Sequence, residues 1–582
     1  MTIIVLVAGH SSAHEVLDAS TLNKYLDPLP NPLDNVIAPI GMLEGVPLYD
    51  ISISQFQRQL HSELPPTTVW GYNGLYPGPT FVASRDEAIK VRWTNNLTDG
   101  AGHPLQHLLP YDPTLHGAGH PDGHGEGFPQ ARTVTHLHGG VVDEHSDGYP
   151  EHWFTPDPHA APNGLGGPAG NSLVTTYANP QRSASLWYHD HAMGITRLNV
   201  YAGLAGFYLI RDAQEESLGL PSGDYEIPLV LQDRSFYDNG DLFYPGGDSH
   251  DPSHPGSHVS FFLADANLVN GVVWPFLEVE PRKYRFRMLN GANGRFYDLS
   301  LEPDSGAAGD GPVTLHQIGT DGGLLSHRVE RSNVFLAPSD RADIIVDFSQ
   351  FSVGDSLRFM NNGLGASEGT TDEVMQFRIV APRGVDDSNL PDSLSTIERY
   401  HEADADAMRT IELVPGFDAM GRRQLLLNGM HWSDEITEVV RQGDLEIWSL
   451  INRTGDAHPI HLHGEAFQVL DRTGSFGNDI PLEDYELGWE DTVVVNPGET
   501  VRIMVKYEAF TGTFVFHCHI LEHEDHEMMR PFRIIPAVPE PSAWTLVLAG
   551  IASTWLTKRR RLVSRLDPIT GPSQVSRLMA GT

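Results

Sequence analysis

A pattern that recurs three times along the 582 residues limits the possible fold more than any other feature of the chain. Each copy opens with Asn-Gly, continues through an apolar loop into a strand-like segment, and ends near an Asn. The copies span residues 73–95, 270–290 and 428–452. Their inner segments alternate apolar and polar side chains, as half-buried strands do, at residues 89–93, 284–288 and 445–449. Three copies of one strand pattern predict three β-sandwich domains.

The composition agrees with an all-β fold. The chain has 57 Gly and 42 Pro, and its short runs of Val, Ile, Phe, Tyr and Thr favour β-sandwich modules over helices. A length of 582 residues is too great for one hydrophobic core. The formal net charge of −38 repels phosphate backbones, so we expect no nucleic-acid partner.

The single cysteine, Cys518, lies in a run rich in metal-binding side chains. Residues 517–529 contain four histidines and two methionines besides this thiol. A cysteine without a disulfide partner is most often a small buried apolar side chain. The neighbours favour another interpretation, because a thiolate, imidazoles and a weak thioether are the ligands of a blue copper centre.

Histidines also recur in pairs two residues apart. Chance would give roughly 1.4 His-x-His pairs for 29 histidines in 582 residues. The chain has four such pairs: His136 with His138, His189 with His191, His461 with His463, and His517 with His519. Residues i and i+2 of a strand face the same way, so each pair can present two imidazoles to neighbouring metals. A solvated stripe would explain one pair, whereas two pairs in each of two domains predict an interdomain multinuclear site.

The first and third domains can be aligned through two of these pairs. Residues 185–191 match residues 513–519, but Asp190 stands where the third domain has Cys518. The alternation of a strand turns Cys518 away from the face that carries His517 and His519. One tripeptide can therefore connect a mononuclear copper on one face to a metal cluster on the other.

Four segments resemble the copper-binding signatures of multicopper oxidases: residues 136–139, 187–191, 458–464 and 517–528. Residues 64–74, 280–287 and 336–341 are similar to the branch that contains bacterial spore-coat laccases and bilirubin oxidase. The likeness runs from about residue 24 to residue 536. The resemblance implies an all-β chain of three cupredoxin-like Greek-key β-sandwich domains.

Carried over residue by residue, the resemblance implies four copper ions. The type 1 copper would take His458, Cys518 and His523, with Met528 as axial ligand in preference to Met529. The type 2 copper would take His136 and His461. The type 3 pair would take His138, His189, His191, His463, His517 and His519.

Two acidic residues, Glu524 and Asp147, match carboxylates that help to deliver protons near the cluster in similar enzymes. The alternative is that both are ordinary surface carboxylates in a chain with 76 acids.

The implied activity is that of a laccase-like oxidase. Four one-electron oxidations of phenols, aromatic amines or bilirubin-like donors would be coupled to the reduction of dioxygen to two waters. One alternative is a metallo-oxidase that acts on Mn(II) or Cu(I), although 13 methionines without a Met-rich insert argue against Cu(I). The other alternative is a non-enzymatic copper-binding matrix protein. We expect a monomer with dioxygen and a small reducing substrate as partners.

The two ends of the chain bear on its location. Residues 1–9 are apolar but too short, and lack the basic residues, for a complete signal peptide. Residues 538–561 resemble a PEP-CTERM sorting signal, with Pro-Glu-Pro, an apolar stretch and a basic cluster. This resemblance implies export to the periplasm, the medium or the cell surface, with transient membrane association and C-terminal processing.

The predicted domain boundaries follow from these patterns. Residues 1–23 form an N-terminal segment and residues 562–582 a tail after the sorting signal. The first domain, residues 24–213, and the third, residues 408–537, hold the copper ligands, and the second, residues 226–381, holds none.

Several histidines are expected to lie outside the site. Gly, Pro and polar residues surround them, which is typical of solvated loops. They are His103, His107, His116, His120 and His124 before the first signature, and His250, His254 and His258 in the second domain. His526 lies within the copper run but off the ligand spacing, and we expect it to be exposed.

Overall fold

The computed structural model describes residues 14–119, 128–156, 170–246, 258–304 and 312–537. Strands dominate these residues, so the predicted all-β class is confirmed. The described α-helices are short: Thr196–Ala202, Ala213–Ser217 and Leu521–Glu524. The described 3₁₀ turns are Ala19–Thr21, Pro32–Asn35, Gly223–Tyr225, Glu402–Asp404 and Asp484–Leu487.

Residues 41–211 contribute two sheets. In order, the first contains Gly41–Leu43, Val46–Arg58, Ile89–Asn95 and Ser172–Tyr177, with Thr67–Tyr72 also paired to Val46–Arg58. The second contains Gly78–Ser84, Ala205–Arg211, Ala184–Asp190 and Thr135–His138. Both sheets supply the core around Trp93, Phe81 and Tyr188.

Residues 226–379 contribute the next two sheets. The larger sheet contains Val272–Val273, Ala266–Val269, Glu226–Phe236, Lys283–Asn290, Arg341–Asp347, Leu315–Thr320 and Gly323–Arg331, with Leu242–Phe243 paired to Glu226–Phe236. The smaller sheet contains Phe276–Val279, Glu373–Ile379, Ser356–Asn361, Tyr297–Pro303 and Asn333–Leu336. Phe286, Phe359 and Phe377 lie in the core between them.

Residues 407–535 contribute the last two sheets. One contains Arg423–Leu427, Ala407–Phe417, Leu445–Asn452, Thr500–Lys506, Phe467–Thr473 and Asp479–Ile480. The other contains Val439–Arg441, Met529–Ile535, Gly512–Cys518, His458–Leu462 and Thr492–Val495. Their core includes Trp448, Phe516, Phe532 and Cys518.

The threefold sequence pattern corresponds to a threefold repeat of strand pairing. The inner strand of each copy lies parallel to a long strand that precedes it. The pairs are Val46–Arg58 with Ile89–Asn95, Glu226–Phe236 with Lys283–Asn290, and Ala407–Phe417 with Leu445–Asn452. The pattern thus predicted both the strands and their equivalence.

The opening Asn of each copy has one structural role. Asn73, Asn270 and Asn428 adopt positive φ angles of 52°, 52° and 56°, and each precedes a glycine that also has positive φ. Such a pair forms the tight turn that Asn-Gly favours. Each Asn Oδ1 accepts a hydrogen bond from the long preceding strand, at 2.7 Å from Ser52 N, 2.8 Å from Val230 N and 2.8 Å from Glu412 N.

The proposed domain boundaries stay predictions. Where the first predicted domain ends, residues 213–217 form a short helix, and between the second and third, residues 382–401 contain no strand longer than an isolated bridge. The sorting signal and the tail, residues 538–582, lie outside the described residues. Within the described part of the chain, no helix has the length and apolar character needed to cross a membrane.

Candidate metal centre

The four His-x-His pairs lie on strands that pair within two sheets or at the ends of those strands, since His191, His463 and His519 each directly follow their strand. Thr135–His138 and Ala184–Asp190 are antiparallel neighbours, and their register puts His136 opposite His189. His458–Leu462 and Gly512–Cys518 are antiparallel neighbours too, with His461 opposite His517. Strand pairing therefore gathers the imidazoles into two groups, one from residues 136–191 and one from residues 461–519.

The two groups meet face to face. The ring of His136 stacks on that of His463 with centroids 3.8 Å apart, and His138 stacks on His461 at 3.7 Å. All eight imidazoles are buried: His136, His138, His189, His191, His461, His463, His517 and His519. These contacts confirm that the histidine pairs within residues 136–191 converge with those within residues 461–519, as predicted.

Several ring nitrogens at the centre of this cluster have no hydrogen-bond partner in the described structure. Nε2 of His136, His189 and His461, and both ring nitrogens of His519, are buried without a hydrogen-bond partner in the described structure. Nε2 of His517 lies 3.3 Å from Nε2 of both His191 and His463. Buried polar atoms are normally hydrogen-bonded, so this cluster of lone pairs fits metal cations.

Protonation of the cluster is disfavoured. Burial, followed by repulsion from neighbouring imidazoles, holds the pKa of six histidines well below its usual range: His136, His138, His189, His463, His517 and His519. Burial likewise lowers the pKa of His191 to about 4. Neutral imidazole is the form that binds metals.

The outer ring nitrogens are held by oxygen acceptors. Nδ1 of His136 donates to the carbonyl of Asp147 at 2.5 Å, and Nδ1 of His461 donates to the carbonyl of Asp491 at 2.8 Å. Nδ1 of His189 donates to the carbonyl of Asp190 at 2.8 Å. These bonds fix the ring orientations and direct Nε2 towards the centre.

The two predicted acidic residues lie against the cluster and are not surface carboxylates. Asp147 is fully buried, and its Oδ2 lies 2.8 Å from His463 Nδ1. Glu524 lies 3.4 Å from His191 Nδ1 through Oε1 and 3.1 Å from His517 Nδ1 through Oε2. Burial raises the pKa of both carboxyl groups, which favours a bound proton.

A third acid at the cluster was not found from the sequence. Asp491 Oδ1 lies 3.1 Å from His138 Nε2 and 3.5 Å from His461 Nδ1. Its carboxylate forms an ion pair with Arg341, at 2.9 Å between Oδ1 and Nη1. The charge on Arg341 holds the pKa of Asp491 well below its usual range. Nothing in the histidine spacing singles out Asp491, and in the sequence Arg341 stands out only as part of the family-like segment 336–341.

Cys518 belongs to a second, smaller group of ligands. Its Sγ lies 3.5 Å from His458 Nδ1 and 3.6 Å from His523 Nδ1, and these atoms are close enough to share one metal ion. Met528 is fully buried in the apolar cluster that contains Cys518, whereas Met529 packs against Met193 and Trp432. This packing favours Met528 as the thioether beside the thiol.

Asp190, the counterpart of Cys518 in the first domain, has a different environment. Its carboxylate accepts hydrogen bonds from Val134 N at 2.9 Å, Ala192 N at 3.0 Å and Asn199 Nδ2 at 2.6 Å. These contacts tie the strand to the following helix. Asp190 therefore acts in local structure.

A cavity of about 330 Å³ adjoins the second group. His523 lies in its wall, with Glu522 beside it. The remaining lining has seven apolar side chains, Phe261, Phe296, Leu364, Leu425, Ala457, Pro497 and Ile520, and five polar or charged ones, His258, Ser260, Arg423, Asp456 and His526. An aromatic molecule of moderate size would find apolar surface there and would contact the His523 ring.

Two expectations about the remaining histidines were wrong. His526 is 4% exposed rather than solvated, and its Nε2 lies 3.3 Å from Asp418. His107 is also buried, with its ring centroid 4.4 Å from that of Trp70 and Nε2 3.1 Å from Asn199 Oδ1.

The other histidines set aside from the site are more exposed or lie outside the described residues. The His103 side chain is 77% exposed and that of His116 is 33% exposed. His258 is half-buried, and its ring lies tilted against that of His526 with centroids 4.0 Å apart. His120, His124, His250 and His254 lie outside the described residues.

Comparisons with known proteins agree with this geometry. Multicopper oxidase family models match residues 55–102 and 391–538. A laccase from Bacillus subtilis (strain 168) is 44% identical over 533 residues, which cover 88% of this chain and 99% of the relative. A bilirubin oxidase from Albifimbria verrucaria is 32% identical over 524 residues, 87% of this chain and 80% of the relative.

A solved structure gives the same result. The crystal structure of a laccase from Pediococcus acidilactici aligns with a TM-score of 0.69 at 28% identity, over 89% of this chain and 95% of that chain. Copper binding is a property of the family, and the buried histidine clusters fit it. The chain therefore belongs to the multicopper oxidase family, with laccases and bilirubin oxidase among its homologues.

Proposed function

We propose that this protein is a laccase-like oxidase of organic donors. Four one-electron oxidations of phenols, aromatic amines or bilirubin-like tetrapyrroles are coupled to the reduction of one dioxygen to two waters. The observation that carries the proposal is the tripeptide His517-Cys518-His519. It contributes to both buried ligand groups at once, since Cys518 Sγ faces His458 and His523 while its neighbours lie in the eight-histidine cluster.

The proposal assigns four copper ions to these residues. His458, Cys518, His523 and the axial Met528 would hold type 1 copper, and His136 and His461 type 2 copper. The type 3 pair would take His138, His189, His191, His463, His517 and His519. The buried ring nitrogens without hydrogen-bond partners support this assignment. Bound copper would supply the one-electron chemistry, because each ion changes its oxidation state by a single electron.

His523 would be the point of contact with the electron donor. It is the type 1 ligand in the wall of the 330 Å³ cavity, and it is 6% exposed while Cys518 and His458 are fully buried. The apolar lining of that cavity favours an aromatic donor over a hydrated metal ion. The thiol itself is kept from water and from direct contact with a donor.

Asp147 and Glu524 would hold protons for the formation of water. Each lies at a second ring nitrogen of cluster histidines, so each can position an imidazole and keep a proton a few ångströms from the cluster. Their burial excludes bulk water, which leaves the carboxyl groups as the local proton store.

Parallel measurements of dioxygen consumption test the proposal. The copper-loaded protein would be assayed with 2,6-dimethoxyphenol, bilirubin and Mn(II), with Cys518→Ser as the control that lacks the type 1 thiolate. We expect the parent protein, but not Cys518→Ser, to consume dioxygen with an organic donor. Turnover of Mn(II) alone would establish the metallo-oxidase instead, and no turnover by a protein with four coppers would overturn both.

Export forms part of the proposal and has support only from the sequence. The PEP-CTERM-like segment 538–561 favours delivery to the periplasm, the medium or the cell surface, with transient membrane association. Comparison of the mature chain length with the full sequence, by mass spectrometry of the protein from its native host, tests this part.

A further inference from the structure

A second cavity, of about 370 Å³, has Asp491 of the histidine cluster in its wall but lies apart from the proposed donor cavity. Residues from the ranges 85–186 and 400–509 line it, together with Gly322. Charged and aromatic groups in its wall are Arg85, Arg182, Tyr400, Glu465, Trp489, Asp491, Lys506 and Glu508. The side chain of Arg85 is 45% exposed, so the cavity is accessible from solvent at that point.

Arg182 is the unusual residue of this cavity. Its guanidinium carbon lies 4.3 Å from the centre of the Trp489 ring, and within the described residues it has no hydrogen bond or ion pair with any acceptor. Burial, and then the nearby Arg85, lower the pKa of Arg182. A half-buried guanidinium that forms no ion pair is costly in a chain of net charge −38, where acids are abundant, and Asp212 acts on it only from a distance.

Arg85 adds a second positive charge that is only loosely paired. Its closest carboxylate contacts are 3.7 Å to Asp86 and 3.9 Å to Asp212. Lys506, in contrast, is closely paired with Glu508. Two guanidinium groups that repel one another, and that lack close partners, form a site for an anion, because guanidinium binds oxyanions through two parallel hydrogen bonds.

The rest of the lining defines the kind of anion. Apolar surface comes from Val141, Pro180, Ala184, Leu186 and Ala466, and the Tyr400 ring lies in the same wall. A benzene-sized ligand already fits an apolar cavity of about 150 Å³, so this cavity has room for a substituted ring. Asp491 and Glu508 also line it and would repel a second negative charge, which favours a monoanion over phosphate.

We propose that this cavity binds a small aromatic carboxylate. The carboxylate lies between the guanidinium groups of Arg182 and Arg85, and the ring packs on the apolar wall that includes Tyr400. The site is independent of the donor cavity beside His523, and its occupancy does not depend on the oxidase activity.

Calorimetric titration of the copper-loaded full chain tests the proposal. Benzoate is a suitable probe because it has no phenolic hydroxyl to oxidise, and benzamide is its neutral counterpart of nearly the same shape. We expect benzoate to bind in the millimolar range or tighter, and benzamide and phosphate to bind at least tenfold more weakly. Arg182→Gln should weaken benzoate binding at least tenfold.

Arg85→Gln provides a second variant, since Arg182 packs against Trp489 and its removal could perturb the fold. It should weaken benzoate binding several-fold. Arg92→Gln is the matched control, because Arg92 is 39% exposed and lies outside the cavity lining, and it should bind benzoate like the parent. Equal affinity for benzoate and benzamide, tighter binding of phosphate, absence of benzoate binding, or unchanged benzoate affinity in Arg85→Gln and a folded Arg182→Gln would each overturn the proposal.

Discussion

Nδ1 of His463 lies 2.8 Å from a carboxylate oxygen of Asp147, across 316 residues of sequence, and both side chains are fully buried. The backbone carbonyl of the same Asp147 accepts a hydrogen bond from His136. Asp147 therefore orients one histidine from each half of the cluster, His136 and His463. Loss of a partner of this kind typically lowers metal affinity or activity by about ten- to hundredfold.

Asp147→Asn tests this relationship. An amide cannot hold the proton that the carboxyl group holds, and it binds His463 with a weaker hydrogen bond. We expect reoxidation of the reduced enzyme by dioxygen to slow by about ten- to hundredfold. Stopped-flow absorbance should show that anaerobic reduction of the blue copper by a phenol keeps its parental rate.

Asp50→Asn is the control for this variant, because the side chain of Asp50 is 43% exposed and forms its ion pair with Arg92, at 3.8 Å. It should leave both half-reactions unchanged. Slower reduction of the blue copper in Asp147→Asn, with normal reoxidation, would contradict a role at the cluster.

Cys518→Ser tests the assignment of the smaller ligand group. A hydroxyl cannot replace the thiolate, so the intense blue absorption should disappear and the copper content should fall from four to about three per chain, as expected for a soft ligand set that loses its sulfur. Visible spectroscopy with elemental analysis checks both outcomes. A variant that stayed blue would refute the assignment.

Much of the fold and of the ligand set could be predicted because both leave local patterns. The Asn-Gly turns and alternating strands depend on neighbours in sequence, and pairs such as His136 and His138 follow from the period of a strand. The contact between Asp491 and His138 links residues 353 positions apart, and no spacing encodes it. Asp491 and Arg341 are therefore visible only once the sheets have packed.

The burial of His526 could not be predicted from its sequence neighbours. A polar residue amid charged neighbours is typical of an exposed position, yet the short helix Leu521–Glu524 folds this segment back onto residues from other parts of the chain. Asp418 and the ring of His258 then cover His526. Burial of this kind is set by tertiary packing, which the polarity of the local sequence does not report.

Arg341→Met tests the ion pair that neutralises Asp491. Both residues are at least 95% buried, so removal of Arg341 would leave a carboxylate without its counter-charge beside His138. Loss of one partner of a buried pair costs about 3–5 kcal/mol of unfolding free energy. We expect a lower thermal midpoint and reduced copper retention, measured by calorimetry and elemental analysis. The double variant Arg341→Met with Asp491→Asn should recover part of the stability, and no recovery would show that Arg341 acts through other contacts.

Glu465→Gln tests the effect of a half-buried acid on the pH dependence of stability. Burial raises the pKa of Glu465 from 4.5 to about 7. The folded state therefore holds this proton more tightly than the unfolded state, and the stabilising contribution is complete below about pH 4.5 and is lost as the pH rises through about 7. The variant stays neutral and keeps an oxygen acceptor for the backbone nitrogens of Glu508 and Ala509.

Between pH 5 and pH 8 the parent should lose up to about 3 kcal/mol of unfolding free energy relative to Glu465→Gln. Thermal unfolding of both proteins at the two pH values measures this difference, with Glu412→Gln, whose side chain is 43% exposed, as the control. A parent that gained stability relative to Glu465→Gln on going from pH 5 to pH 8 would contradict the predicted sign, because it would require a carboxylate whose proton is held less tightly in the folded chain.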